Sequence, residues 1–117
     1  MNISRESFLH FKNNPIFKGK IISDSMSPVI QVGETITVEV GQKNLKRFDI
    51  IVFYDDEKLI CHYLWRMNLL VTPILLQTRC LSGGMDIPMT FDNYLGKVVS
   101  HQLSLWWKLK ILLKQIF

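Results

Sequence analysis

Apolar and polar residues alternate with a period of two over much of this chain, which is the pattern of half-buried β-strands. The clearest example is residues 34–40, where isoleucine and valine side chains fall on one face and threonine and glutamate side chains on the other. Residues 49–54 form a nearly continuous apolar run, which predicts a strand buried on both faces. Residues 57–67 follow an Asp-Asp turn and are the expected hairpin partner of that strand.

Weaker patterns predict three further strands and one short helix. The strands cover residues 17–22, 69–81 and 96–102. Pro73 interrupts the second of them and is expected at an edge, a bulge or a turn, because proline has no N–H to donate to a sheet. The helix covers residues 4–12 and begins at Ser4, a suitable N-cap residue. Short strands separated by turn signals predict a mainly β fold that is compact, antiparallel and partly closed.

The hydrophobic pattern changes to a helical period in residues 103–117. One arc of the predicted helix holds Leu105, Trp106, Leu109, Leu112, Leu113, Ile116 and Phe117. Lysine and other polar residues lie on the opposite side, onto which Trp107 and Ile111 stray. We therefore interpret residues 1–102 as a β domain and residues 103–117 as an amphipathic, basic C-terminal helix.

Charge is distributed unevenly between these two parts. Residues 1–92 carry ten basic and ten acidic side chains, whereas the rest of the chain carries four lysines and no acid. A neutral body with a basic tail is unlike a nucleic-acid-binding protein, whose basic face extends across the fold, so no nucleic-acid partner is expected. A cationic amphipathic helix with tryptophans is typical of peripheral contact with a membrane interface. The alternative is a terminal helix that packs on the β domain.

Neither a membrane-spanning segment nor a secretory signal is expected. A helix over residues 103–117 would be roughly 22 Å long, which is short of a hydrocarbon core of about 30 Å. Residues 1–18 contain no apolar run of the length that a secretory signal requires. These features favour a cytoplasmic protein held peripherally at the inner membrane surface.

The two cysteines, Cys61 and Cys80, are too few for a disulfide framework and lack the Cys-x-x-Cys spacing of a metal site. Free cysteine is among the most frequently buried residue types, so both are interpreted as small core residues. No metal or other cofactor is expected.

The stretch at residues 22–30 carries the clearest candidate for chemistry. Ser25 stands directly before Met26, and Pro28 follows three positions after the serine. Proline fixes its own φ and biases the preceding residue towards an extended conformation, so the hydroxyl can be held on a tight turn. A serine hydroxyl becomes an effective nucleophile only with a base within hydrogen-bond reach and donors for the oxyanion. Ser27 is a rival hydroxyl but does not precede a methionine.

His62 is the best candidate base, because an imidazole titrates near neutral pH and can accept a serine proton there. On the predicted strand its side chain faces the same way as two apolar neighbours. Lys58 lies on the same face four residues earlier, about 13 Å away at about 3.3 Å per residue, so the two cannot both be the base. The other histidines fit less well, since His10 lies in the polar N-terminal segment and His101 follows the last strand motif.

Further motifs follow Ser25 in a defined order. They are Arg-Phe-Asp-Ile-Ile-Val-Phe at residues 47–53, Leu-Ile-Cys-His at 59–62, Leu-Gln-Thr-Arg at 76–79, Asp86, and Leu-Gly-Lys-Val-Val at 95–99. Over about residues 20–100, this order and spacing resemble the type I signal peptidase family and its relatives, which include LexA-like self-cleaving proteins.

Three positions depart from the pattern of that family. Phe48 stands where glycine is usual, Cys80-Leu81 stands where Gly-Asp is usual, and Tyr63 follows the histidine where arginine is common. No lysine occupies the position of the base. The chain therefore resembles the Ser-His branch of the family and not the Ser-Lys branch.

The resemblance implies a serine endopeptidase in which Ser25 is the nucleophile and His62 is the general base. Asp86, 24 residues after the histidine, would be the orienting acid, with Asp92 as the alternative. The hydroxyl of Ser23 would help the backbone N–H of Ser25 to bind the oxyanion. The oxyanion and substrate-binding turn would comprise Ser23, Met26 and Pro28.

By the same resemblance, the substrate would be a precursor, leader or signal peptide that adds in extended form along a strand edge. Small side chains would be favoured just before the cut. Two other functions are compatible with the sequence: a non-catalytic peptide-binding relative, which the departures suggest, and a self-cleaving LexA-like regulator. The sequence contains neither a DNA-binding domain nor a linker with a cleavage site, which argues against the regulator.

Overall fold

The computed structural model describes residues 2–116 and contains two helices and six strands over that range. The helices are α1 (Arg5–Phe11) and α2 (Leu105–Ile116), and the strands are β1 (Ile16–Lys20), β2 (Thr35–Val40), β3 (Ile50–Asp55), β4 (Lys58–Asn68), β5 (Leu75–Arg79) and β6 (Tyr94–Val98). A single turn of 3₁₀-helix over Phe91–Asn93 precedes β6. The mainly β class and the C-terminal helix predicted from the sequence are confirmed.

The strands form one sheet in the order β1-β2-β6-β3-β4-β5, and every neighbouring pair is antiparallel. The sheet is open, whereas the sequence predicted a partly closed one. Within residues 2–116, β1 and β5 are its edges, and isolated bridges from Met85 and Met89 cover the outer side of β5. The segment after β5 therefore occupies the edge that would have to meet β1 for the sheet to close.

The predicted strands at residues 34–40, 49–54 and 57–67 agree with β2, β3 and β4 to within about one residue, and α1 begins after the expected N-cap, Ser4. Three predicted strand bounds were wrong. Residues 21–22 lie beyond the end of β1 at Lys20. Residues 69–74 are not a strand, because the chain bends over residues 70–73, and only β5 remains of the longer strand. The last strand ends at Val98, because the Ser100 hydroxyl accepts the backbone N–H of Thr37, at 2.9 Å, in place of a main-chain partner.

Two apolar clusters lie on opposite faces of the sheet, and β3 contributes to both. Ile50, Val52 and Tyr54 belong to the first cluster, which also contains Phe8 of α1 and Met26. Ile51 and Phe53 belong to the second, together with Leu45, Leu64, Leu76, Met89 and Tyr94. The prediction that β3 is buried on both faces is confirmed, since Ile50 to Tyr54 are all buried.

Phe48, at the position where the resembled family has glycine, adopts a φ of +77°. This left-handed conformation is strained for a side chain with a Cβ, at a cost of order 1–3 kcal/mol. Two features hold the residue there: its backbone N–H donates to the Leu64 carbonyl at 2.7 Å, and its ring lies 6.2 Å from the rings of Tyr63 and Trp65. Aromatic packing thus compensates for a backbone geometry that glycine adopts freely.

α2 packs on the first cluster through the two residues that stray from its predicted apolar arc. Ile111 is buried and Trp107 is half-buried against the cluster, which Leu103 also joins just before the helix. The arc residues whose side chains are described, Leu105, Trp106, Leu109, Leu112 and Leu113, are exposed, and the side chain of Ile116 is not described. Phe117, which the sequence also assigned to the arc, lies outside the described residues. Among the helices of residues 2–116, none is both long and apolar enough to cross a membrane.

Candidate active site

A tight turn after β1 holds Ser25. The Ser27 N–H donates to the Asp24 carbonyl and the Ile30 N–H to the Met26 carbonyl, both at 2.9 Å. Met26 is only 1% exposed and packs in the first apolar cluster, so the residue next to Ser25 fixes the turn to the core. Ser25 itself is half-buried, which leaves its hydroxyl accessible from one side.

Three predicted residues lie in a hydrogen-bonded line, although they are far apart in the chain. His62 Nε2 lies 3.2 Å from Ser25 Oγ, and His62 Nδ1 lies 2.6 Å from Asp86 Oδ2. Because the carboxylate accepts at Nδ1, the proton of a neutral imidazole resides there, and Nε2 is left to accept the serine proton. The imidazole is held by β4, packs edge-on against the Phe53 ring and has a side chain only 12% exposed.

Asp86 is positioned by the main chain and by a neighbouring hydroxyl. Its backbone N–H donates to the Thr78 carbonyl at 2.9 Å, and Thr78 Oγ1 donates to Asp86 Oδ2 at 2.6 Å. Burial alone would raise the pKa of Asp86, but the hydrogen bonds from His62 and Thr78 and the positive imidazole outweigh it and lower the pKa below its usual value. Asp86 is therefore an anion at neutral pH.

Thr78 was not singled out from the sequence, although it lies within the Leu-Gln-Thr-Arg motif. It is only 1% exposed, and a buried hydroxyl on a strand requires a hydrogen-bond partner. The need for a hydrogen-bond partner was the signal that could have pointed to Thr78, but the sequence alone does not show which acceptor its hydroxyl binds.

Replacing Thr78 with valine should lower kcat/KM about tenfold on any peptide that the protein cleaves. Valine keeps the shape but loses one charge-assisted hydrogen bond to Asp86, which is worth about 1.5 kcal/mol. The pKa of Asp86 should also rise, so the loss of activity in strongly acidic solution, where this carboxylate is neutralised, should begin at a higher pH. Thr78→Ser is the matched control and should retain wild-type behaviour. Equal rates and equal pH profiles for the valine and serine variants would refute a positioning role.

The hydroxyl of Ser23 accepts the backbone N–H of Ser25 at 3.2 Å. The Ser23 hydroxyl and the Ser25 N–H, which were both predicted to bind an oxyanion, thus lie side by side but are hydrogen-bonded to each other. An incoming oxyanion would compete with Ser23 Oγ for that N–H. Met26 lines the cleft, whereas Pro28 is exposed and is not among the residues that line the cleft, so the structure does not place Pro28 with the other predicted substrate-binding residues.

The alternative candidates lie elsewhere or lack the required contact. Asp92 lies in the 3₁₀ turn beside α1, where its carbonyl accepts from Arg5 and Lys12. His101 pairs with Glu34 at 2.6 Å, and His10 is exposed in the last turn of α1. Ser27 is exposed, and Lys58 lines the cleft near the start of β4. Among the described residues, no hydrogen bond joins Lys58 or Ser27 to the line formed by Ser25, His62 and Asp86.

A cleft of about 430 Å³ begins at Ser25 and His62. One wall comes from β1 and the segment that follows it, and the other from the first half of β4. These strands are separated by three others in the sheet, so the sheet must curve strongly to bring them around one cleft. The lining is mostly apolar, with Phe17, Ile21 and Ile60 among its side chains.

Cys61 lines the same cleft but packs towards the first apolar cluster, opposite to its neighbour His62. Burial raises the pKa of its thiol to about 12, so it stays neutral. Cys80 is half-buried beside the Ser82 hydroxyl, at 2.9 Å, and is a loop residue where a core residue was expected. Across the described chain, no cluster of three or more potential ligands could hold a metal ion.

Comparisons with known proteins identify no relative of this chain. No protein-family model matches it, and searches of curated proteins and of solved structures give no match.

Proposed function

We propose that this protein is a serine endopeptidase of signal-peptidase-like type, with Ser25 as nucleophile, His62 as general base and Asp86 as the orienting acid. One observation carries the proposal: Ser25 Oγ, the His62 ring and the Asp86 carboxylate form a continuous hydrogen-bonded line at 3.2 and 2.6 Å. These are the residues that the order of motifs singles out, and their roles are those of a catalytic triad.

In this mechanism Ser25 Oγ attacks the scissile carbonyl carbon while its proton passes to His62 Nε2. Asp86 stabilises the resulting imidazolium through the hydrogen bond at Nδ1. The backbone N–H of Ser25 donates to the oxyanion once the Ser23 hydroxyl gives up that contact. His62 then protonates the leaving amine, and the acyl-enzyme is hydrolysed by a water molecule that His62 deprotonates.

The substrate is an extended peptide that adds beside β1. Among the described residues β1 pairs with β2 on one side only, and its free edge borders the apolar cleft that ends at Ser25. A peptide strand at that edge gains main-chain hydrogen bonds, and its alternate side chains enter the cleft. Precursor, leader and signal peptides with small side chains before the cut are the class that the resemblance implies.

A non-catalytic peptide-binding protein is the second candidate, and one contact favours it. The N–H that would stabilise the oxyanion already donates to Ser23 Oγ, so the oxyanion site is not open in this conformation. A binder would use the same cleft and the same edge of β1 without needing that N–H.

Labelling with a fluorophosphonate probe separates the two candidates. A peptidase should become covalently labelled on Ser25, and both Ser25→Ala and His62→Ala should abolish the label. Because signal-peptidase-like enzymes can resist such probes, a peptide library analysed by mass spectrometry is the parallel measurement. Peptides that bind but are never cleaved, with no labelling of the intact protein, would assign the cleft to a binder.

A further inference from the structure

The C-terminal helix α2 presents two chemically different sides. Trp107 and Ile111, four residues apart, pack into the first apolar cluster and fix the helix to the body. At about 100° per residue, the apolar arc is centred nearly opposite these two anchors. The arc residues with described side chains, Leu105, Trp106, Leu109, Leu112 and Leu113, are 36% to 79% exposed. The body therefore leaves the more apolar side of the helix uncovered.

Lysines flank the exposed arc. By the same helical spacing, Lys110 lies about 40° beyond one border of the described arc, Lys114 about 40° further round on that side, and Lys108 about 40° beyond the other border. Lys110, Leu109 and Trp106 line one shallow groove along the helix, and the Lys110 ammonium lies 4.9 Å from the centre of the Trp107 ring. Among the described residues none of the three lysines has an acidic ion-pair partner, and the chain has no acid after Asp92.

An exposed apolar arc with lysines on both sides indicates which kind of partner can cover it. A second copy of the chain, docked through the same face about a two-fold axis, would bring the lysines of one helix against those of the other. A bilayer with anionic lipids accommodates both features, since the arc enters the boundary between headgroups and acyl chains while the flanking lysines meet lipid phosphates. Leucine and tryptophan on the apolar side and lysine on the polar side are the residue types of such helices.

We propose that α2 docks this protein on an anionic lipid bilayer, with its exposed apolar arc inserted at the interface and Lys108, Lys110 and Lys114 at the headgroups. The proposal goes beyond the peptidase activity and does not depend on it. A Ser25→Ala protein should bind vesicles as the wild type does, so failure of the proposed catalysis and failure of the proposed docking are distinguishable.

Co-sedimentation with vesicles tests the proposal. The intact protein should sediment with vesicles of phosphatidylcholine and phosphatidylglycerol, less with phosphatidylcholine alone, and less as salt is added. The triple variant K108Q/K110Q/K114Q should partition roughly a hundredfold more weakly, because each lysine near an anionic surface contributes about a fivefold factor. Trp106→Ser with Leu109→Ser should also lose binding.

Leu70→Ser is the matched control, because Leu70 is 98% exposed but lies outside α2, and it should bind like the wild type. The changed residues of α2 are largely exposed, so melting temperatures should hardly change, which separates lost binding from unfolding. No binding by the intact protein, or equal loss in the control, would overturn the proposal. So would a dimer that dissociates on Leu109→Ser without any binding to vesicles, since that would assign the arc to a second copy.

Discussion

Replacing Ser25 with alanine should reduce peptide cleavage by about 10⁴-fold or more, to a level that sensitive assays barely detect. In the proposed mechanism, the change removes the only atom that forms the acyl-enzyme, and neighbouring groups cannot substitute for it. The protein should fold normally, because the hydroxyl bonds to His62 whereas the turn is fixed by the buried Met26. The measurement is kcat/KM on a peptide identified with the wild type, together with the melting temperature.

Ser27→Ala is the matched control for that experiment. It makes the same chemical change two residues away, on an exposed side chain that lies on the same turn. Its activity should stay close to that of the wild type. Wild-type turnover in the Ser25 variant, or complete loss in the Ser27 variant, would show that the nucleophile is wrongly assigned.

Replacing His62 with alanine should have an effect of similar size, because proton transfer and nucleophilic attack act as a unit. Asp86→Asn should cost less, since this residue orients and stabilises the imidazole without transferring the proton. Lys58→Ala should leave the rate nearly unchanged. The reverse pattern, an inactive Lys58 variant and an active His62 variant, would move the base to the lysine.

The pH dependence follows from the same groups. In the free enzyme, kcat/KM should rise with pH towards neutrality, because a protonated imidazole cannot accept the serine proton. Asp86 adds no limb in that range: its pKa is lowered, so the carboxylate is already ionised there and loses its charge only in more acidic solution. His62→Ala should remove the dependence near neutral pH, and a profile that stayed unchanged would contradict the assignment.

Local features of the sequence indicated the surroundings of the candidate site residues, whereas their mutual contacts were expected only from the resemblance. Strand alternation gives the face of His62, Pro28 marks the turn that carries Ser25, and a loop rich in glycine carries Asp86. The order of motifs selected these three from several serines, histidines and acids. The role of Thr78 was not predicted, because the sequence pattern of a threonine on a strand is the same whether its hydroxyl donates to a carboxylate or to a carbonyl.

The errors in the fold arose where segments outside the regular strands make contacts with the sheet. Closure of a sheet depends on which segment covers its edge, and the glycine- and proline-containing segment after β5 has no strand pattern to indicate that Met85 and Met89 bridge to that strand. The early end of β6 depends on a side-chain hydroxyl, Ser100, that replaces a main-chain partner of β2. On α2 the helical wheel identified the apolar arc. Only the packing shows that Trp107 and Ile111, which lie outside that arc, form the buried side of the helix.

The edge strand β5 supports two of the three groups in the candidate site. Leu81, two residues beyond the strand, donates its N–H to the Ser25 carbonyl at 3.0 Å, and Asp86 donates to the Thr78 carbonyl at 2.9 Å. A local opening of this edge would displace the Asp86 carboxylate and remove one main-chain contact of Ser25, whereas His62 would stay on β4. Edge segments open at lower free energy than the centre of a sheet. In the proposed peptidase, activity would therefore depend on one short strand staying paired, and heat would inactivate the site at a lower temperature than it melts the sheet.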